Sequence, residues 1–132
     1  MNVEGLVTVS SKYGPTETMD RLTASVAKHG MRVFARIDHA AAAAEVGMTL
    51  APTAVLIFGG PKGGTPLMQA VQTMGIDLPL KALIWQDAAN QVWLSYNDPK
   101  WIGRRHGVDP GLEKILDAMA AALADIAKEV TA

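Results

Sequence analysis

Apolar and polar positions alternate over Leu6-Val7-Thr8-Val9-Ser10, which predicts a first strand. Gly14-Pro15-Thr16-Glu17 predicts a helix start with proline set for the first turn, and Met19, Leu22 and Val26 then share one face. Gly30 supplies a left-handed stop. Met31, Val33, Ala35 and Ile37 fall on one side of a second strand. Asp38 is placed to cap a short alanine helix from His39 to Val46, which Gly47 ends. Thr53 to Phe58 is apolar on both faces, so this third strand is expected at the centre of the sheet. Thr65-Pro66 opens the next predicted helix, with Leu67, Ala70, Val71 and Met74 inward and Gly75 closing it. Leu80 to Gln86 and Gln91 to Tyr96 read as two strands, and the polar turn Asp87-Ala88-Ala89-Asn90 makes them a hairpin. Asp98-Pro99 begins a short helix ending at Gly107, and Asp109-Pro110 begins the last and longest one, to about Val130.

The predicted order is β-α-β-α-β-α-β-β-α-α. Strands alternating with helices point to the α/β class, with α+β as the alternative, and to one mixed sheet of about five strands with helices packed on it. No linker, repeat or low-complexity break divides the chain, so residues 1–132 are expected to form a single domain. Apolar residues make up 49% and charged residues 19%, the balance of a globular protein with a real core. A net charge of −1 gives no basic excess for a phosphate backbone, so nucleic acid is not an expected partner. Cysteine is absent, which removes disulfides, thiolate nucleophiles and thiolate metal sites. The first residues show no basic segment followed by an apolar core, and no apolar run approaches the ~20 residues that span a bilayer. A cytoplasmic protein without a membrane partner is the expectation.

The stretch with the most chemistry is Phe58-Gly59-Gly60-Pro61-Lys62-Gly63-Gly64-Thr65-Pro66, a glycine-rich loop between an apolar strand and a helix. Such a loop can turn backbone N–H groups onto an anion or carbonyl. A nucleotide P-loop needs lysine directly before the Ser/Thr, whereas Gly64 precedes Thr65 here. A looser anion site from Lys62, Gly63, Gly64 and Thr65 fits better. The same residues also read as a plain strand-to-helix turn, with glycines at positive φ, Thr65 as N-cap and Pro66 at the first helical position.

Asp38 and His39 occupy another strand-to-helix transition. Asp38 suits an N-cap, and His39 in the first turn suits a neutral ring that can donate, accept or act as acid/base. With strands two and three parallel, His39 and the glycine loop would share one sheet edge and one crevice. Lys81 enters an apolar strand and is the other candidate catalytic residue, as a base or Schiff-base amine, against the plainer reading of a lysine snorkelling at a strand end.

Several short stretches together resemble the family catalogued as domain of unknown function 302. They are Ile37-Asp38-His39; Pro52-Thr53 leading to Phe58-Gly59 and Pro61; Gly64-Thr65 with Leu67-Met68; Asp77-Leu78-Pro79-Leu80-Lys81; Tyr96-Asn97-Asp98-Pro99; and Arg105-His106. They recur in order over about residues 6 to 107. The resemblance implies a compact α/β domain, often a homodimer, with no settled activity. Gly60 stands where the family usually has asparagine, so a side-chain amide at the loop is lost.

Arg104-Arg105-His106 suits the negative end of a helix dipole, and His29 holds an equivalent place in the first long helix. The three histidines are far apart in sequence, without metal-ligand spacing, and the methionines fit apolar helix faces, so no metal or identified cofactor is implied. No Ser-His-Asp order stands out. Leu112, Leu116, Met119, Leu123, Ile126 and Val130 form a heptad-like seam on the last helix, and Trp85, Trp93 and Trp101 add large anchors. These features favour a homodimer, while covering the chain's own sheet is the competing role. The leading functional expectation is a homodimeric domain that binds a small anionic or carbonyl-bearing ligand at His39 and the glycine loop. An enzyme using His39 and a non-catalytic assembly module are the alternatives.

Overall fold

The computed structural model describes residues 2–132. Its elements are β1 (Leu6–Ser11), α1 (Pro15–Lys28), β2 (Arg32–Asp38), α2 (His39–Glu45), β3 (Thr53–Gly59), α3 (Pro61–Ala70), a 3₁₀ turn (Gln72–Ile76), β4 (Leu80–Gln86), β5 (Val92–Asn97), α4 (Pro99–Arg105), a second 3₁₀ turn (Pro110–Leu112) and α5 (Glu113–Thr131). The local signals act as their chemistry dictates. Pro15 stands at the first position of α1, where its missing N–H has no partner to lose. Gly30, at φ +76°, lets the chain leave α1, and Met31 N–H donates to the Val26 carbonyl across the end. The Asp38 carboxylate accepts from Ala41 N–H at 2.9 Å and caps α2.

The five strands form one sheet in the order β1-β5-β4-β3-β2, with helices packed on it in the expected succession. Every pairing is antiparallel, so the α+β alternative is the one realised and the expected parallel pairing of β2 with β3 is not. The segment 46–52 after α2 returns the chain to the end of β2, so that β3 starts pairing there, Ala54 against Asp38, and runs back along β2. β3 is interior, but the middle strand is β4. Lys81 and Gln86 break the apolar run of β4 and disguise its central place.

One face of the sheet carries the main core. Leu56, Phe58, Ala82, Ile84 and Leu94 pack there with Met19, Leu22 and Val26 of α1 and with Leu123, Ile126 and Val130 of α5. The alternate positions Val55, Ile57, Leu83, Trp85 and Trp93 look out from the other face and are half-buried. The last three seam residues of α5, Leu123, Ile126 and Val130, are thus used by the chain's own core, while Leu116 joins a second cluster of Leu67, Met74 and Ile102. Trp85 and Trp93 stack at 6.2 Å, and each ring N–H is satisfied, by Ser95 Oγ and Asp87 Oδ2 respectively. Trp101 packs beside the second cluster.

Candidate functional site

The glycine stretch is helix rather than loop. α3 begins at Pro61, four residues before the Thr65 start that the sequence suggests, with Gly60 as its extended N-cap. The Gly63 and Gly64 amides both donate to the Gly60 carbonyl at 3.2 Å, so they are not free to cradle an anion. Positive φ is not their purpose either: the glycines with that conformation are Gly5, Gly30, Gly47 and Gly107. Close approach is. A Cβ at Gly63 would meet Met119 Cε at 3.2 Å, and one at Gly64 would meet Leu78 Cδ1 at 3.5 Å. The glycines bring the start of α3 against α5 and the segment before β4.

The antiparallel register separates the two expected halves of the site. Arg32 pairs with Gly59 at the end of β3, while Asp38 pairs with Ala54 near its beginning. His39 therefore lies about 20 Å along the strand from the glycine stretch. It is exposed, in the first turn of α2. The shared crevice of His39 and Thr65 does not form. Asp38 is engaged as the helix cap. Lys81 is half-buried on β4, with Nζ donating to the Pro79 carbonyl at 3.3 Å, the snorkelling geometry.

What the fold assembles around Lys62, Gly63, Gly64 and Thr65 is a different cleft, of about 910 Å³. Its walls are the start of β2, the first turns of α3, the Leu78-Pro79 segment and α5. Met68, Leu78, Pro79, Ile115, Met119 and Phe34 make most of it apolar. His29, Arg32, Lys62 and Lys114 border it, and no carboxylate does so among the described residues. The Arg32 guanidinium stands 4.9 Å over the Phe34 ring, which holds the cation against the apolar surface. Sequence reasoning found the α3 side of this cleft and missed His29, Arg32, Phe34 and Lys114. β2 shifts register between Val33 and Ala35, so plain strand alternation does not predict that Arg32 and Phe34 meet at the cleft.

A second polar cluster joins the first 3₁₀ turn to the end of α4. His106 Nε2 donates to Asp77 Oδ2 at 2.6 Å, and Arg105 Nη1 reaches the same oxygen at 2.8 Å. The other ring nitrogen, Nδ1, lies 2.9 Å from Thr73 Oγ1. The His106 side chain is only 8% exposed. Burial pushes the Asp77 carboxyl up, but the His106 hydrogen bond and the Arg105 charge outweigh it and leave its pKa lowered. The dipole reading of Arg105 and His106 misses this convergence because Asp77 is 28 and 29 residues away. Among the described residues, no three His, Cys, Asp or Glu side chains gather as a metal site.

Comparison with known proteins places this geometry in a family. Residues 7–130 match the profile of the domain of unknown function DUF302. A crystal structure of an uncharacterised conserved DUF302 protein from Bacillus stearothermophilus superposes with a TM-score of 0.86, covering 97% of this chain and 99% of that one at 21% identity, and so shares the fold. Two proteins named fluoride-specific ion channel FluC 1, from Brucella suis and Brucella abortus, are each 44% identical over 124 residues, 94% of this chain. The chain spans about half the length of these curated relatives, 49% and 46% respectively. The chain belongs to the DUF302 family.

Proposed function

We propose that this DUF302 domain binds an amphipathic anion, an apolar body with a carboxylate or phosphate head, in the cleft between β2, α3 and α5. The supporting observation is the pairing of an apolar interior of about 910 Å³ with four basic side chains and, among the described residues, no acidic one at its border. That volume lies within the range of small-molecule pockets. Apolar walls favour burying a hydrocarbon or ring body, and Arg32, Lys62 and Lys114 offer the head group charge-assisted hydrogen bonds. The anionic ligand class expected from the sequence is retained; the groups that hold it are side-chain cations rather than His39 and loop amides.

The channel activity in the relatives' names is not carried over. Among the described residues no helix is long and apolar enough to cross a membrane. We assign transport in those proteins to the half outside the match, and to this domain a ligand-binding role beside it.

Calorimetric titration with dodecanoate, dodecanol and dodecylamine tests the reading. Dodecanoate should bind tightest, and Lys62→Glu with Arg32→Glu should weaken it by about tenfold or more. Met119→Trp, which fills the cleft floor, should abolish binding. Equal binding of the amine, or an unaffected Met119→Trp variant, overturns the proposal.

Self-association is a second reading, favoured by one observation. The edge strand β2 exposes Val33, Phe34 and Ile37, and the segment after α2 exposes Val46, Met48 and Leu50.

A further inference from the structure

We propose that Thr73, His106 and Asp77 form a nucleophile–base–orienter relay in which the threonine hydroxyl accepts an activated acyl group. The tautomer follows from the contacts. An ionised Asp77 carboxylate is only an acceptor, so its 2.6 Å partner, His106 Nε2, carries a proton. In the neutral ring Nδ1 is then a lone pair, and the 2.9 Å contact requires Thr73 Oγ to donate to it. A hydroxyl hydrogen-bonded to an imidazole that a carboxylate holds in place is the arrangement that activates a weak oxygen nucleophile. Arg105, 2.8 Å from the same carboxylate oxygen, helps to keep Asp77 ionised and therefore in its accepting role.

The base and its orienter are sheltered while the nucleophile is not. The His106 and Asp77 side chains are 8% and 14% exposed, whereas Thr73 lies on the surface. Residues three apart on a 3₁₀ turn eclipse, so Ile76, 73% exposed, stands beside Thr73 and offers an apolar contact to an acyl chain. The substrate class is accordingly a thioester or aryl ester with an apolar acyl group. Thr73 Oγ attacks the carbonyl carbon as its proton passes to His106 Nδ1. The bond from that carbon to the leaving thiol or phenol breaks, and the leaving group takes the proton. Asp77 is a positioning residue in this scheme. The relay is separate from the cleft and does not depend on it.

An alkyl fluorophosphonate is the test probe, because attack by the hydroxyl expels fluoride and leaves a stable Oγ–P bond that peptide mass spectrometry can place. The folded protein should carry the adduct on Thr73, and the urea-unfolded protein should not, since the relay exists only in the fold. Thr73→Val should lose the adduct. His106→Gln, with its circular dichroism unchanged, should form it about 10²-fold more slowly, the lower end of what a general base contributes. Absence of a Thr73 adduct in the folded wild type overturns the proposal. So does equal labelling of folded and unfolded chains, a comparison that needs no variant to fold.

Discussion

Single positions in this chain are governed by how near a neighbour stands. Gly5 has φ +76°, and a Cβ there would fall inside the Trp101 indole. Both the backbone and the ring must then move, so Gly5→Ala should destabilise by at least about 2 kcal/mol, read from urea unfolding. Asp77 supplies a pH signature. Its folded pKa is below the ordinary 3.8, so its contribution to stability is fully present above that value and is lost as pH falls through the lowered one. Unfolding of wild type and Asp77→Asn measured from pH 7 to pH 2 should give a stability gap that narrows only in the acid range. A gap independent of pH would mean that the carboxylate's charge has no part in holding the 3₁₀ turn to α4. Glycine signals were ambiguous at this scale. Gly30 acts as its sequence position suggests, whereas Gly63 and Gly64 serve contact with Met119 and Leu78, which only the tertiary structure supplies.

Elements were legible where a local signal decided them. Proline starts and aspartate caps fix α1, α2 and α4 because their partners lie within a turn. The start of α3 was obscured because two glycines, each about 1 kcal/mol less favourable than alanine, sit inside its first turns and imitate a loop. The direction of β3 relative to β2 has no local signal, because a 14-residue connection allows either course, and the antiparallel one moves His39 away from the cleft. The seam of α5 was visible, but periodicity alone does not say which surface it meets. The structure packs Leu123 against the sheet at 2% exposure. Leu123→Ala should therefore cost about 2–5 kcal/mol, as burial of a core leucine implies. A thermal or urea midpoint close to wild type would show that this helix contributes little to the core.

For the whole molecule, the edge strand β2 is the feature that a lone domain leaves unresolved. Its outer N–H and C=O groups lack a neighbouring strand, and sheets commonly guard such edges with charge or proline. β2 does carry Arg32 and Arg36, but Arg36 is drawn to Asp20 at 3.3 Å and Arg32 lies over Phe34. Val33, Phe34 and Ile37 remain exposed between 37% and 46%. Ile37 also continues a row through Val55 and Leu83 across the face opposite α1 and α5. A second copy approaching about a two-fold axis at β2 would cover this apolar surface on both chains at once, since a two-fold contact uses the same patch twice. It would also bring a neighbour to Phe34, which lines the cleft, so dimerisation and ligand binding should influence each other. Light scattering should then give twice the 14.0 kDa chain mass at micromolar concentration. Ile37→Lys with Val33→Lys should return it to the single-chain mass with circular dichroism unchanged, because both side chains lie outside the buried core. A mass of one chain for the wild type over a wide concentration range would reject the dimer and leave the exposed edge to be guarded by its arginines alone.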